Sequence, residues 1–234
     1  MPSLVQRVQT VDEVVATMTR LEEALPRSDG LWWFNHLYLR VTLGVRSAIG
    51  STAFGDPRFL DRLDVAFGNL YFDAVSAGDA NPDAAPPAWK PLLRLRQAAG
   101  IEPLQFALAG MNAHINRDLP VGIVAVCQEL GGAPEVGSVR HDDFERVNGI
   151  LESVEGQVKG EFLSGALGKI DAATAPLDDR VAMWNVRAAR ANAWTNAQVL
   201  WTLRPTPALR VDYFEKLDRF SGFAGRGLLS AKVV

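Results

Sequence analysis

Apolar residues recur along this chain at intervals of three and four, the spacing that gives a helix one buried side. Over residues 10–25, Val11, Val14, Val15, Met18, Leu21 and Leu25 form one stripe, and Thr10 with Glu13 has the spacing of a capping box. Pro26-Arg27-Ser28-Asp29-Gly30 interrupts the pattern. A second, far more apolar helix is predicted from residue 31 to about 49, ended by Gly50-Ser51-Thr52. Asp56-Pro57 is an N-cap followed by proline in the first turn, and it opens a third helix expected to run to about residue 77. Residues 78–87 are rich in Gly, Pro, Asp and Asn and read as a loop.

The second half continues in the same manner. A short helix is predicted over residues 89–99. Glu102-Pro103 opens another that carries on through residue 119, where Pro120 either kinks it or starts a new segment. Gly131-Gly132-Ala133-Pro134 is a loop, and residues 141 to about 170 form a long helix weakened by Gly149, Gly156, Gly160 and Gly165. Pro176 and Asp178-Asp179 begin a further helix ending near Pro205, and residues 212–223 supply the last. No strand run bounded by hairpin signals occurs, nor any repeat of fixed period. The expected fold is all-α, a single-domain bundle of about seven to eight helices over residues 1–234.

Composition narrows the functional classes. The 48% hydrophobic and 22% charged content belongs to a globular chain rather than a disordered one. A formal net charge of -3 without a basic stripe argues against a nucleic-acid partner, although two or three arginines suffice for a small phosphate compound. No apolar stretch reaches the roughly 18 residues of a membrane span, and residues 1–15 lack the apolar core of a secretion signal. The single cysteine, Cys127, has no internal disulfide partner and sits in the apolar run of residues 121–127, so a buried, inert thiol is expected. A cytoplasmic, soluble protein follows, with a small molecule as partner and an oligomeric state left open.

Certain polar residues sit poorly in a plain core. On the helix opened by Pro103, Leu104, Leu108, Met111, Ile115 and Leu119 form the core stripe. Asn112 and Asn116 share one margin of it, and His114 and Asp118, four apart, share the other. Two asparagines and a histidine within five residues cost helix stability. They are either a solvated face or the wall of a polar cavity. The second helix places His36 and Arg40 on one face, Tyr38 and Thr42 on another, and Arg40 must snorkel or find an acidic partner. The third helix offers Asp61, Asp64 and Asp73, with Asn69 and Tyr71; Asn69 and Asp73 are spaced to face inward together. Near the C-terminus Arg187, Ala191, Trp194, Gln198 and Trp201 form a stripe with Arg190 and Trp184 at its margin. That stripe is either packing with a cation–π contact or a pocket wall for an apolar ligand with an anionic group.

Three segments carry a resemblance: Phe34-Asn35-His36-Leu37-Tyr38-Leu39-Arg40-Val41-Thr42, Gly110-Met111-Asn112-Ala113-His114-Ile115-Asn116-Arg117-Asp118-Leu119-Pro120, and Arg190-Ala191-Asn192-Ala193-Trp194. Together they resemble an actinobacterial family known as domain of unknown function 5995. The resemblance spans most of the chain and implies a bacterial, cytoplasmic protein of helical fold. It also implies that Asn112, His114, Asn116 and Asp118 are signature positions, and it brings no activity.

The phosphate-binding, dinucleotide, paired-cysteine and nucleophile-elbow motifs are missing, so no organic cofactor is expected. The histidines are His36, His114 and His141, and His141 with Asp142 and Asp143 reads as a solvated helix start. His114-x-x-x-Asp118 fits two metal ligands on one helical face, completed by His36 and Asp73, but helical zinc hydrolases use more histidines than this chain has. The leading expectation is therefore a cofactor-independent acid/base enzyme (hydrolase, isomerase, lyase or cyclase) on a small, partly apolar metabolite. His114 is its general acid/base and Asp118 orients the imidazole. Asn112, Asn116, Tyr38, His36, Asp73, Arg187, Arg190 and Trp194 are candidates to bind the substrate. The alternatives are a non-catalytic small-molecule binder, a metal-dependent hydrolase using His114 and Asp118, and a helical interaction module.

Overall fold

Local caps start the first helices as the sequence predicts. In the computed structural model, described over residues 5–49, 54–166 and 185–230 apart from the side chains of 155–166, Thr10 Oγ1 accepts from the Glu13 N–H at 3.2 Å. Glu13 Oε2 accepts from the Thr10 N–H at 3.2 Å, so the box closes at the head of α1 (Val11–Ala24). Val11, Val14, Met18 and Leu21 are buried, as is Leu25 just past its end. Asp29 is buried ahead of α2 (Gly30–Ile49), where it accepts from the Leu31 N–H and pairs with Arg96 at 2.7 Å. Asp56 caps α3 (Pro57–Ala80) through the Phe59 N–H at 3.1 Å. That helix outruns its expected end, and a 3₁₀ turn follows at Pro82–Ala84, so the predicted loop is partly helical.

The remaining helices are α4 (Lys90–Leu95), α5 (Pro103–Ala113), α6 (Leu119–Leu130), α7 (Val139–Ala166), α8 (Val186–Thr202) and α9 (Pro207–Leu228). All regular structure among the described residues is helical, and the fold is all-α. The expected stop at Gly50-Ser51-Thr52, the helix end near 170, the start at Pro176 to Asp179, and Trp184 lie outside the described residues. No described helix is long and apolar enough to cross a membrane. Cys127 is fully buried, as expected.

Two glycines bring α2 and α5 together. A Cβ on Gly110 would stand 2.3 Å from the Phe34 ring, and one on Gly30 would stand 2.3 Å from the Phe106 ring. A third, Gly222, lets α9 rest on the loop before α4, because its Cβ would meet the Pro87 carbonyl oxygen at 2.4 Å. That docking extends α9 beyond both predicted ends. One continuous apolar core runs through these elements, with a small satellite of Leu37, Ala107 and Val154 between α2, α5 and α7.

The buried face of α8 differs from the expected stripe. It consists of Arg190, Ala193, Trp194, Ala197 and Leu200, while Arg187 and Ala191 are exposed. Two alanines allow the helix to lie close against α6, and Asn148 and Phe144 draw the Arg190 guanidinium inward. Arg187 turns outward to pair with Glu152 at 2.6 Å. Arg40 is exposed, whereas His141 is half-buried against Trp194 rather than solvated.

Candidate functional site

Pro120 shapes the segment that carries His114. Proline has no N–H for the carbonyl four residues back and its ring collides with that carbonyl in α geometry. The chain responds by widening one turn. Residues His114–Asp118 form a π-helical turn between α5 and α6, in which the Leu119 N–H reaches back to the His114 carbonyl. Such turns interrupt α-helices as single wide turns and are frequent at functional sites. Here His114 and Asp118 are 2% and 0% exposed, so this face is a buried wall and not a solvated margin.

Asp118 holds the imidazole in one orientation. Its Oδ2 lies 3.0 Å from His114 Nδ1 and accepts from the Trp89 indole N–H at 3.0 Å, while Oδ1 accepts from Arg117. Arg117 also faces Asp218 on α9 at 3.3 Å, and Asp218 accepts from the Ala88 N–H at 2.7 Å. With donors on both oxygens, Asp118 serves His114 as an acceptor, which assigns the ring proton to Nδ1. Nε2 then carries a lone pair. The ring stacks on Phe67, with centroids 3.4 Å apart and planes 6° from parallel, and Tyr38 meets it edge-on at 4.5 Å. Burial pushes the His114 imidazole below its ordinary range; Asp118 opposes this and the Arg117 charge adds to it. At neutral pH the ring is therefore a neutral base.

His114 lines a partly open cavity of about 80 Å³ between α2, α3, α7, α8 and the π turn. That is room for several waters or a small organic molecule. Most of its lining is apolar, including Phe34, Leu37, Leu60, Leu63, Val147 and Leu151. Five polar residues interrupt it: Tyr38, Thr42, Asp64, His114 and Arg190. Asp64 Oδ2 and His114 Nε2 are enclosed without a hydrogen-bond partner among the described residues, and the Tyr38 and Thr42 hydroxyls lie close enough to interact with each other. Orphaning a buried polar atom costs about 1–3 kcal/mol, so two around one space mark a site where a ligand's polar atoms would be stabilising. Burial, followed by the Asp64 and Asp118 charges, pushes the Tyr38 phenol well above its usual value, which keeps it a donor. Asp64 is half-buried as a residue, yet burial and then the Asp61 charge push its carboxyl up to about 7, with Arg190 opposing.

The other sequence candidates sit elsewhere. Asn112 donates to the Ser221 carbonyl at 2.8 Å and accepts from Asn116 at 3.1 Å, so this pair fastens α9 to α5 instead of lining the cavity. His36 stacks on Trp32 and pairs with Glu22 at 2.6 Å, on the side of α2 that faces α1. Asp73 pairs with Arg7 at the surface, and Asn69 bonds both the N–H and the carbonyl of Val8, so these two clasp the segment before α1. Arg187 is on the surface. Trp194 is buried behind the cavity, between Phe59, Phe144 and His141. The metal set His114, Asp118, His36 and Asp73 is thus not brought together, and no group of three or more metal-ligating side chains is placed to hold an ion among the described residues. Sequence reasoning had not assigned Asp64 or Thr42 to the site. The available signal was a carboxylate set among Leu60, Leu63 and Phe67, where a core stripe should be apolar.

No curated protein and no solved structure matches this chain. The resemblance carried by the helical segments around His36, His114 and Arg190 is upheld by a match of residues 11–231 to the model of one family: the chain belongs to the family of unknown function DUF5995.

Proposed function

We propose that this protein is an acid/base enzyme acting on a small, partly apolar metabolite without an organic cofactor. One observation carries the proposal: His114 lines the cavity with a buried Nε2 that has no hydrogen-bond partner among the described residues, while Asp118 lies at Nδ1. A buried base that is neutral at the working pH meets the first requirement of proton transfer. Asp118 is a positioning residue, because it reaches the reacting atoms through the imidazole. Tyr38 supplies a hydroxyl donor beside the base, suited to an oxygen on which negative charge develops. A bacterial, cytoplasmic setting accompanies the proposal, supported by the family resemblance and by a lone buried thiol.

A second possibility is binding without chemistry, favoured by the preponderance of apolar side chains around the cavity. Incubating wild-type protein and His114→Gln with a bacterial metabolite extract, followed by untargeted mass spectrometry, separates the two. Catalysis predicts a compound consumed by the wild type at least 100-fold faster than by the variant, in the range of a lost general base. Equal conversion by both proteins would sink the catalytic assignment. Retention of a compound without its conversion would support the binder.

A further inference from the structure

Arg190 enters the cavity from α8 as a buried cation, 7% exposed. Its Nε donates to Asn148 Oδ1 at 2.7 Å and its NH2 to the Phe144 carbonyl at 2.7 Å, with the Phe144 ring 4.0 Å from the guanidinium carbon. Both acceptors are uncharged, and a guanidinium has five donors to place. No carboxylate among the described residues hydrogen-bonds to it, although Asp64 is near enough to be felt electrostatically. Burial pushes Arg190 down to about 10, opposed by Glu145 and then by Asp64. The charge is therefore held in a poorly solvating place with no ion-pair partner among the described residues.

Asp64 lines the same cavity from α3. Its enclosed Oδ2 has no hydrogen-bond partner among the described residues. The charged and titratable groups around it are Asp61 on its own helix, Arg190 on α8 with Glu145 of α7 behind, and Tyr38 and His114 toward the opposite wall. Arg190 and Asp64 thus face one space without bridging it.

We propose that this end of the cavity takes the carboxylate of a small monocarboxylic acid with an apolar body, and that the acid enters with one proton, which is delivered to Asp64. The inference rests on the cavity being a ligand site, and it names the ligand class. One ligand oxygen accepts from the Arg190 guanidinium, and the other accepts from the Asp64 O–H. Protonation is required because two carboxylates cannot both stay ionised against a single cation. The atoms balance: one proton leaves solvent and joins Asp64, and no bond of the acid is broken. The hydrocarbon body lies on Leu60, Leu63 and Val147, directed toward Tyr38 and His114 Nε2. A phosphate is a poorer fit, since its two charges would face one guanidinium with Asp64 alongside.

Isothermal titration with propionate, butyrate, isovalerate and benzoate, each beside its primary amide, tests this directly. The acids are expected to bind at least 10-fold more tightly than the amides. In buffers of differing ionisation heat at pH 8, uptake should approach one proton per acid bound. Asp64→Asn should abolish the uptake while acids still bind, and Arg190→Gln should cost the acids at least 10-fold. If the Arg190 variant does not fold, Asp64→Asn still decides the matter. Equal affinity for acids and amides, no binding by any acid, or proton uptake that survives in Asp64→Asn would overturn the proposal. His114→Gln separates this inference from the catalytic one. Acid binding retained in that variant, together with no conversion of any compound by the wild type, would leave the carboxylate site standing and remove the enzyme.

Discussion

Replacing Asp64 by Asn should stabilise the protein at alkaline pH, an uncommon outcome for substituting a residue in a candidate site. An aspartate of ordinary value 3.8 that is pushed up to about 7 binds its proton more tightly folded than unfolded. Between about pH 4 and 7 the native state therefore holds the extra proton, and stability falls as pH rises through that window. Full expression of the difference corresponds to about 4 kcal/mol at pH 8, at about 1.4 kcal/mol for each tenfold change in proton affinity. The side chain is only half-buried, so solvent screening reduces the expected figure to about 2 kcal/mol. Asparagine keeps the shape and removes the charge. Urea unfolding of both proteins at pH 4, 6 and 8 measures the effect as a double difference, which cancels every other titrating group. The variant should match the wild type at pH 4 and exceed it by about 2 kcal/mol at pH 8. A gap that does not change with pH, or a variant less stable at pH 8, would refute the placement of this carboxyl against the cavity.

Other predictions follow from the same geometry. Asp118→Asn leaves Arg117 with Asp218 alone and should cost about 3 kcal/mol, the lower end for a broken buried pair, read as a fall in Tm of about 6–12 °C. A change below 2 °C would mean that the pair is not buried as described. Gly110→Ala forces a methyl into the Phe34 ring and should destabilise by about 1–3 kcal/mol in urea, whereas Gly149→Ala, with open space around its Cβ, should be neutral or stabilising. Elemental analysis of the purified protein should find less than about a tenth of an equivalent of bound transition metal, and chelator should leave its Tm unchanged. One equivalent of zinc would revive the metal-dependent alternative.

Local signals in the chain were read accurately where the physics is local. The Thr10–Glu13 box, the Asp56 cap and the stripe of α1 depend on neighbours within one turn, and each lies where the pattern put it. The His114–Asp118 pair was legible for the same reason, since both side chains sit on adjacent turns. Which neighbour each margin faces is a tertiary question. Asn112 and Asn116 looked equivalent to His114 as polar intrusions, but α9 docks on their side and takes up their hydrogen bonds. On α8 the expected stripe shares Trp194 with the buried face, but Arg190, Ala193, Ala197 and Leu200 are buried beside it in place of Arg187, Ala191, Gln198 and Trp201. Burial of Arg190 depends on Asn148 and Phe144, more than forty positions away in sequence. Asp64 stands out as a carboxylate among Leu60, Leu63 and Phe67, but that its stripe borders a cavity depends on α2, α7 and α8 packing opposite it.

The protonation state of His114 tests the central claim most directly. A long-range proton–nitrogen correlation spectrum of the imidazoles at neutral pH, with His114→Gln to assign the signals, reports which ring nitrogen carries hydrogen. The structure predicts a neutral ring protonated on Nδ1, with Nε2 bare, and titration shifted below the value of a free histidine. An imidazolium at neutral pH, or a ring protonated on Nε2 with Nδ1 bare, would contradict a base held toward the cavity by Asp118.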